Sequence, residues 1–216
     1  MTTSVSSTER GRSREFVAPI GGATHGRLVL DRGTPDLDVA ADPSLRDLVR
    51  ASFRGPLPEV SATEGTVIVH YPGFGPVGWL FRSWRARGDI ALNPVIPWAV
   101  ELRGGVHRLR ADLRSLILDT VAIRGGVGGA ELWLPRPRGT LSVEFAGGVN
   151  SVSIHRPHET PVRLSIRGGI SSLSFDAEQF GSIGRGIRRQ TAGWAEATDR
   201  LEVSIAGGVN HLDITS

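Results

Sequence analysis

Cysteine and lysine are both missing from the 216 residues, methionine and tyrosine occur once each, and all 25 basic residues are arginine. Without cysteine the chain can form no disulfide, thiol nucleophile or thiolate metal site. Without lysine it can form no Schiff base and no Walker-type phosphate loop. No run approaches the roughly 18 apolar residues of a membrane span. The longest apolar stretch, Leu92 to Val100, is broken by Asn93, Pro94 and Pro97. The opening MTTSVSSTERGRSREF lacks the apolar core of a secretory signal, and Glu9 and Glu15 argue against an organelle transit peptide. Residues 1–25 are therefore expected to be a disordered tail on a cytoplasmic protein. Arginine never titrates, so the pI near 10.7 overstates a net charge of only +3, and no nucleic-acid partner is expected.

What the chain has is glycine, 28 in all, and much of it is periodic. Gly104-Gly105, Gly125-Gly126, Gly147-Gly148, Gly168-Gly169 and Gly207-Gly208 follow one another at steps of 21, 22, 21 and 39 residues. Two and four residues before each pair the side chain is apolar: Val100 and Leu102, Val121 and Ile123, Val143 and Phe145, Leu164 and Ile166, Val203 and Ile205. A valine or isoleucine follows each pair, and alternation then resumes, as in Leu109 and Ala111 or Val152 and Ile154. Period-2 alternation on both sides of a glycine corner predicts strand, sharp bend, strand. Glycine suits the corner by accepting positive φ and by letting backbones stack closely. A repeat near 21 residues cannot bury its apolar face alone, so the units must stack on a shared core.

These features predict an all-β, right-handed, single-stranded β-solenoid spanning residues 26–216. Residues 98–216 would be regular coils with an inserted loop at 176–200. Residues 26–97 would be degenerate coils or a capping sheet of the same solenoid, with a Trp/Arg-rich loop at 72–89. The degenerate half echoes the repeat at Leu28, Leu30 and Asp31-Arg32-Gly33, followed by Leu37 and Val39. Asp42-Pro43-Ser44 is expected to cap a short helix through Val49.

The glycine-glycine-hydrophobic units, with RASFRGPLPEV, LNPVIPWAVELRGGV and the LPRP turn, resemble the toast-rack β-solenoid family. That family includes the C-terminal domain of LiaF-type cell-envelope stress regulators. The resemblance covers about residues 26–216 and implies the fold.

Candidate chemistry is sparse. Gly73-Phe74-Gly75-Pro76-Val77-Gly78 spells a dinucleotide fingerprint, but Pro72 and Pro76 remove backbone donors and no βαβ unit follows. Gly181 to Gly186 imitates the same pattern, and Arg87-Gly88-Asp89 is a chance integrin tripeptide. The histidines form no triad with a carboxylate and a nucleophile. Asp112 and Glu131 face outward without a third carboxylate, so a sugar-polymer enzyme is the least favoured class. No catalytic residue, metal site or cofactor is assigned.

Two charged features remain. Arg103, Arg124 and Arg167 precede the glycine pair in three repeats and form a candidate basic ladder. They can bind an anionic surface, pair with Glu101 and Glu144, or stand solvated; the last two are favoured. Residues 72–138 hold ten arginines against five acids, whereas the flanking regions are each slightly acidic. That basic third contains Trp79, Phe81, Arg82, Trp84, Arg85 and Arg87, suited to a protein hot spot or to an anionic membrane surface. The competing and slightly preferred role is an aromatic cap on the core. Trp133 and Trp194 are further exposed-aromatic candidates. The expected function is a non-catalytic scaffold or protein-interaction module. It would self-associate through the end coil that stops at Ser216, which would be an open edge unless the inserted loop folds over it. A peripheral envelope-stress protein is the alternative.

Overall fold

The computed structural model describes residues 6–10, 13–71, 87–184 and 186–216. Strands β1 (Ser6–Arg10) and β2 (Ser13–Ala18) come first, then β3 (Gly26–Asp31) and β4 (Thr34–Ala41). They are followed by β5 (Val49–Arg54), β6 (Glu59–Thr63), β7 (Thr66–His70) and β8 (Arg87–Leu92). The five glycine pairs then join strands two by two: β9 (Pro97–Leu102) to β10 (Val106–Asp112), β11 (Ile117–Ile123) to β12 (Val127–Trp133), and β13 (Thr140–Phe145) to β14 (Val149–His155). The fourth joins β15 (Val162–Ile166) to β16 (Ile170–Phe175), and the fifth joins β19 (Arg200–Ile205) to β20 (Val209–Thr215). Between these two pairs lie β17 (Glu178–Phe180) and β18 (Ile187–Gln190).

The twenty strands form two mixed sheets, and no helix occurs among the described residues. Each repeat gives its first strand to the nine-stranded sheet and its second to the eleven-stranded sheet. Neighbouring repeats pair parallel and in register, so Val106, Val127 and Val149 lie side by side, as do Leu109, Ala130 and Val152. Alternate residues of both sheets point into one apolar core, from Leu28 and Val69 through Leu132 to Ile214. Trp98, fully buried, packs its ring where a Gly26 side chain would stand. The degenerate repeat is real: β3 pairs with β9, β4 pairs with β10, and Gly104 rests on Arg32 and Gly33.

Stacking does not follow chain order. In the eleven-stranded sheet β20 lies between β14 and β16, and in the nine-stranded sheet β19 lies between β13 and β15. The last repeat is thus interior, which corrects the expectation of an open edge at Ser216. Residues 176–200 are the reason. After β16 the chain turns back, laying β17 antiparallel on β16 and β18 antiparallel on β15. These short strands cover the outer edges of the β15–β16 repeat. The final strands find parallel partners on its inner side.

The other end repeats the device. The β3–β4 repeat lies inside β7 and β8, while β6 covers β7, and β5 with β2 covers β8. Within the expected tail, β2 is therefore a paired strand, and Phe16 and Ala18 are buried. Alternation of Phe16 and Ala18 gives β2 an apolar face that the edge of the core accepts. The expected helix from Asp42 is absent. The Asp42 carboxylate instead accepts from both the backbone N–H and the hydroxyl of Ser44, closing an Asx turn.

Candidate functional site

Parallel, in-register pairing arranges the outward residues of the eleven-stranded sheet in rows. One row runs Arg87, Asp36, Arg108, Gly129, Ser151, His211 and Ser172 across β8, β4, β10, β12, β14, β20 and β16. The next runs Asp89, Asp38, Arg110, Glu131, Ser153 and Asp213. A groove of about 460 Å³ lies over these two rows. Gly129, Ser151 and Ser153 form part of its floor, and Asp36, Asp38, Arg87, Arg108, Arg110 and Glu131 supply its charge.

Those six charges are three acids and three bases. Arg87 donates to Asp38 at 2.7 Å, whereas Arg108 approaches Asp36 only to 3.7 Å. Glu131 lies 3.7 Å from Nε2 of His155. At 3.7 Å neither contact is a good hydrogen bond, and His107 reaches Asp36 only at 3.4 Å, so polar capacity remains on Asp36, Arg108 and Glu131. Arg110 stacks its guanidinium 4.9 Å from the centroid of Trp133. The opposite neighbour of that ring is His155, stacked at 5.2 Å and 18°. Trp133 faces outward as expected, but Arg110 and His155 flank it, so it offers no bare aromatic platform.

The glycines of β12 differ in kind. A side chain at Gly128 would strike the carbonyl oxygen of His107 at 2.6 Å. A side chain at Gly129 would meet nothing closer than 3.9 Å, and its φ is ordinary. Glycine in mid-strand costs roughly 0.5–1 kcal/mol relative to alanine. Packing explains Gly128 and leaves Gly129 unexplained. Sequence reasoning missed this groove, although aligning the repeats shows Gly129 where the others place Asp36, Arg108, Ser151 or His211.

The outer face of the nine-stranded sheet holds the expected basic ladder, two of whose arginines share a single carboxylate. Glu101 is buried, and its Oε1 accepts from Nε of both Arg103 and Arg124 at 3.1 Å each. Arg27 donates to the other oxygen. The Arg103 bond first, then those from Arg27 and Arg124, hold the carboxyl down to about 2 against the opposing effect of burial. Glu144 stays exposed. Arg167 is exposed and stands apart, because Ala146 and Ala206 occupy the corner position in the repeats between it and Arg124.

Other candidates resolve individually. Trp79, Phe81, Arg82, Trp84 and Arg85, and the pattern Gly73 to Gly78, lie outside the described residues. Arg87 lines the groove. Trp194 is buried rather than exposed: its ring lies between Arg163 and Arg200, and its indole N–H donates to the Leu201 carbonyl at 3.0 Å. It pins the chain as it crosses from β18 to β19. Among the histidines, His70 pairs with Asp31 at 2.9 Å, and His155 bonds the Thr215 hydroxyl at 3.1 Å. Among the described residues no group of three or more His, Asp or Glu is placed to hold a metal.

No protein-family model matches the chain. No curated protein sequence matches it either. Among solved structures it is similar to a "putative cell adhesion protein" from Clostridium sporogenes ATCC 15579, with a TM-score of 0.76 and 21% identity over 97% of this chain and 99% of that one. A "putative adhesin" from Bacteroides fragilis NCTC 9343 aligns over 93% of this chain and 95% of its own, at 10% identity and a TM-score of 0.37. The Bacteroides alignment is too loose to support an argument. The Clostridium alignment shows that the two chains share one all-β fold from end to end.

Proposed function

We propose that this chain is a non-catalytic binding module, a right-handed β-solenoid of the toast-rack kind that holds one rigid sheet face toward a macromolecular partner. The observation that carries this is the outer face of the eleven-stranded sheet. Its rows of side chains are fixed by backbone register, and its groove combines acids, guanidinium groups and hydroxyls on a rigid floor. A surface built on a sheet of this kind binds without the backbone-ordering cost that loops pay. The outermost strands, β1, β17, β18 and β6, are only three to five residues long, and such short edges leave the flat sides as the larger surfaces on offer. The name carried by the Clostridium neighbour, cell adhesion, is compatible with it.

Beads coated with the full chain test the proposal against intact bacterial and animal cells. Saturable retention should fall at least tenfold in Arg108→Glu/Arg110→Glu and stay unchanged in Arg167→Ala, which lies outside the groove. Retention indifferent to the groove variant would overturn the assignment. So would chemical conversion of the bound partner.

A further inference from the structure

We infer that the groove over Gly129 is a binding site for a neutral oligosaccharide; the inference rests on the binding-module assignment above. Three observations on one surface point there. The first is Gly129 itself, an outward mid-strand glycine that no neighbouring atom requires. A strand-interior glycine often marks a bulge, a tight bend, or close approach of a ligand or another backbone. Gly129 pairs in register with Arg108 and Ser151, and no backbone atom comes nearer than 3.9 Å to where its side chain would stand, which leaves the ligand. Its neighbour Gly128 has such a reason, the His107 carbonyl, so the two adjacent glycines serve as test and control.

The second is charge. The groove sets three carboxylates, Asp36, Asp38 and Glu131, against three guanidinium groups, Arg87, Arg108 and Arg110. An anionic or cationic ligand would meet as many like charges as opposite ones. A polyhydroxylated ligand meets the right partner everywhere. Each hydroxyl donates to a carboxylate and accepts from a guanidinium, and adjacent hydroxyls can use both oxygens of one carboxylate. The long Arg108–Asp36 and Glu131–His155 separations leave these groups hydrogen-bonding capacity to share.

The third is extent. The lining comes from β8, β4, β10, β12 and β14, five consecutive strands. At about 4.8 Å per strand the groove runs roughly 19 Å across the sheet. That length suits a short chain of sugar rings better than a single ring. Trp133 lies beside the groove with Arg110 and His155 against its ring, so recognition rests on polar groups and the bare Gly129 floor.

The test is a glycan array probed with the full chain. It carries neutral gluco-, manno-, galacto- and N-acetylglucosamine oligomers beside sialylated and sulfated ones, and hits are followed by calorimetry. Retention on at least one neutral oligomer is expected. Gly129→Phe should weaken it at least tenfold with the melting temperature unchanged, while Gly129→Ala weakens it less. Ser151→Phe is the second plug should Gly129→Phe fail to fold, with the same loss expected. No neutral oligomer bound, exclusive binding of acidic glycans, or full binding by a folded plug variant each overturns the inference. If beads still adhere to cells through Arg108 and Arg110 while free neutral oligomers do not compete, the ligand class is wrong and the binding module stands. If adhesion itself is absent, both fail.

Discussion

At each corner the two glycines have different jobs. None of the ten has positive φ, so conformational freedom is not what selects them. The first of each pair lies against the backbone of the next repeat: a side chain at Gly147 would stand 2.5 Å from the carbonyl oxygen of Gly125, and the other first glycines are as close or closer. The second has room, 3.9 Å at Gly148. Gly147→Ala should therefore destabilise by about 1–3 kcal/mol or more through overpacking. Gly148→Ala should be neutral, or stabilising by about 0.4–1 kcal/mol through the unfolded chain. Urea denaturation of the two variants checks this, and equal losses would refute the asymmetry. Glu101 carries a second prediction at this scale. Its carboxyl is ordinarily near 4.5 and is held at about 2 in the fold. A lowered carboxyl value stabilises the fold fully above the unfolded value, and that share is lost as pH falls from about 4.5 toward 2. Urea midpoints measured from pH 6 to pH 2 should fall less steeply in Glu101→Gln. Some slope should remain, because Asp42 and Asp112 are lowered too, by Ser44 and Arg114 respectively.

Among the elements, the turns decide where the strands go. Arg156 is buried, donating from Nη2 to both oxygens of Asp176 at 2.6 Å and from Nη1 to the Thr160 carbonyl at 2.8 Å. This clasp ties the turn after β14 to the turn that reverses the chain from β16 into β17. Asp176→Asn keeps the left-handed conformation that Asp176 adopts, with φ of 53°, and removes the charge. It should cost about 1–2 kcal/mol, because Arg156 is buried while Asp176 is partly exposed and asparagine keeps one acceptor oxygen. Thermal melts check it, and a loss under about 0.5 kcal/mol would mean that the clasp is not a stability element. The regular strands were legible in the sequence because each has its own period-2 pattern. The clasp was not, because Arg156 and Asp176 look like ordinary loop charges until the reversal brings them together. The same holds for Trp194, which looked exposed in a polar segment and is buried by Arg163 and Arg200.

For the whole molecule the consequence lies in the order of the repeats. In a stack built in chain order the last repeat is an end, and trimming it removes one interface. Here β19 and β20 each sit between two parallel neighbours. Removing residues 200–216 should leave β13 and β14 unpaired on one side and isolate β15 to β18, exposing core residues such as Val152 and Leu173. The truncated chain is expected to lose its cooperative unfolding transition. A truncated chain that melts cooperatively within a few degrees of the full one would show that the final repeat is dispensable. The groove is likewise a property of the whole: Asp38, Arg110, Glu131 and Ser153 are far apart in sequence and adjacent across the sheet.

The sequence by itself determined the local structure: strand, glycine corner, strand, repeated with one face apolar. Each of those features depends on residues within about ten positions of one another, and side-chain alternation reports it directly. Only the tertiary structure decided which repeat lies beside which. Every repeat presents the same in-register backbone edge, so local pattern does not distinguish a neighbour in sequence from one that returns 60 residues later. The antiparallel strands covering both ends make that choice. With it they set which charges share a surface, which mid-strand glycine has no steric excuse, and where a partner can bind.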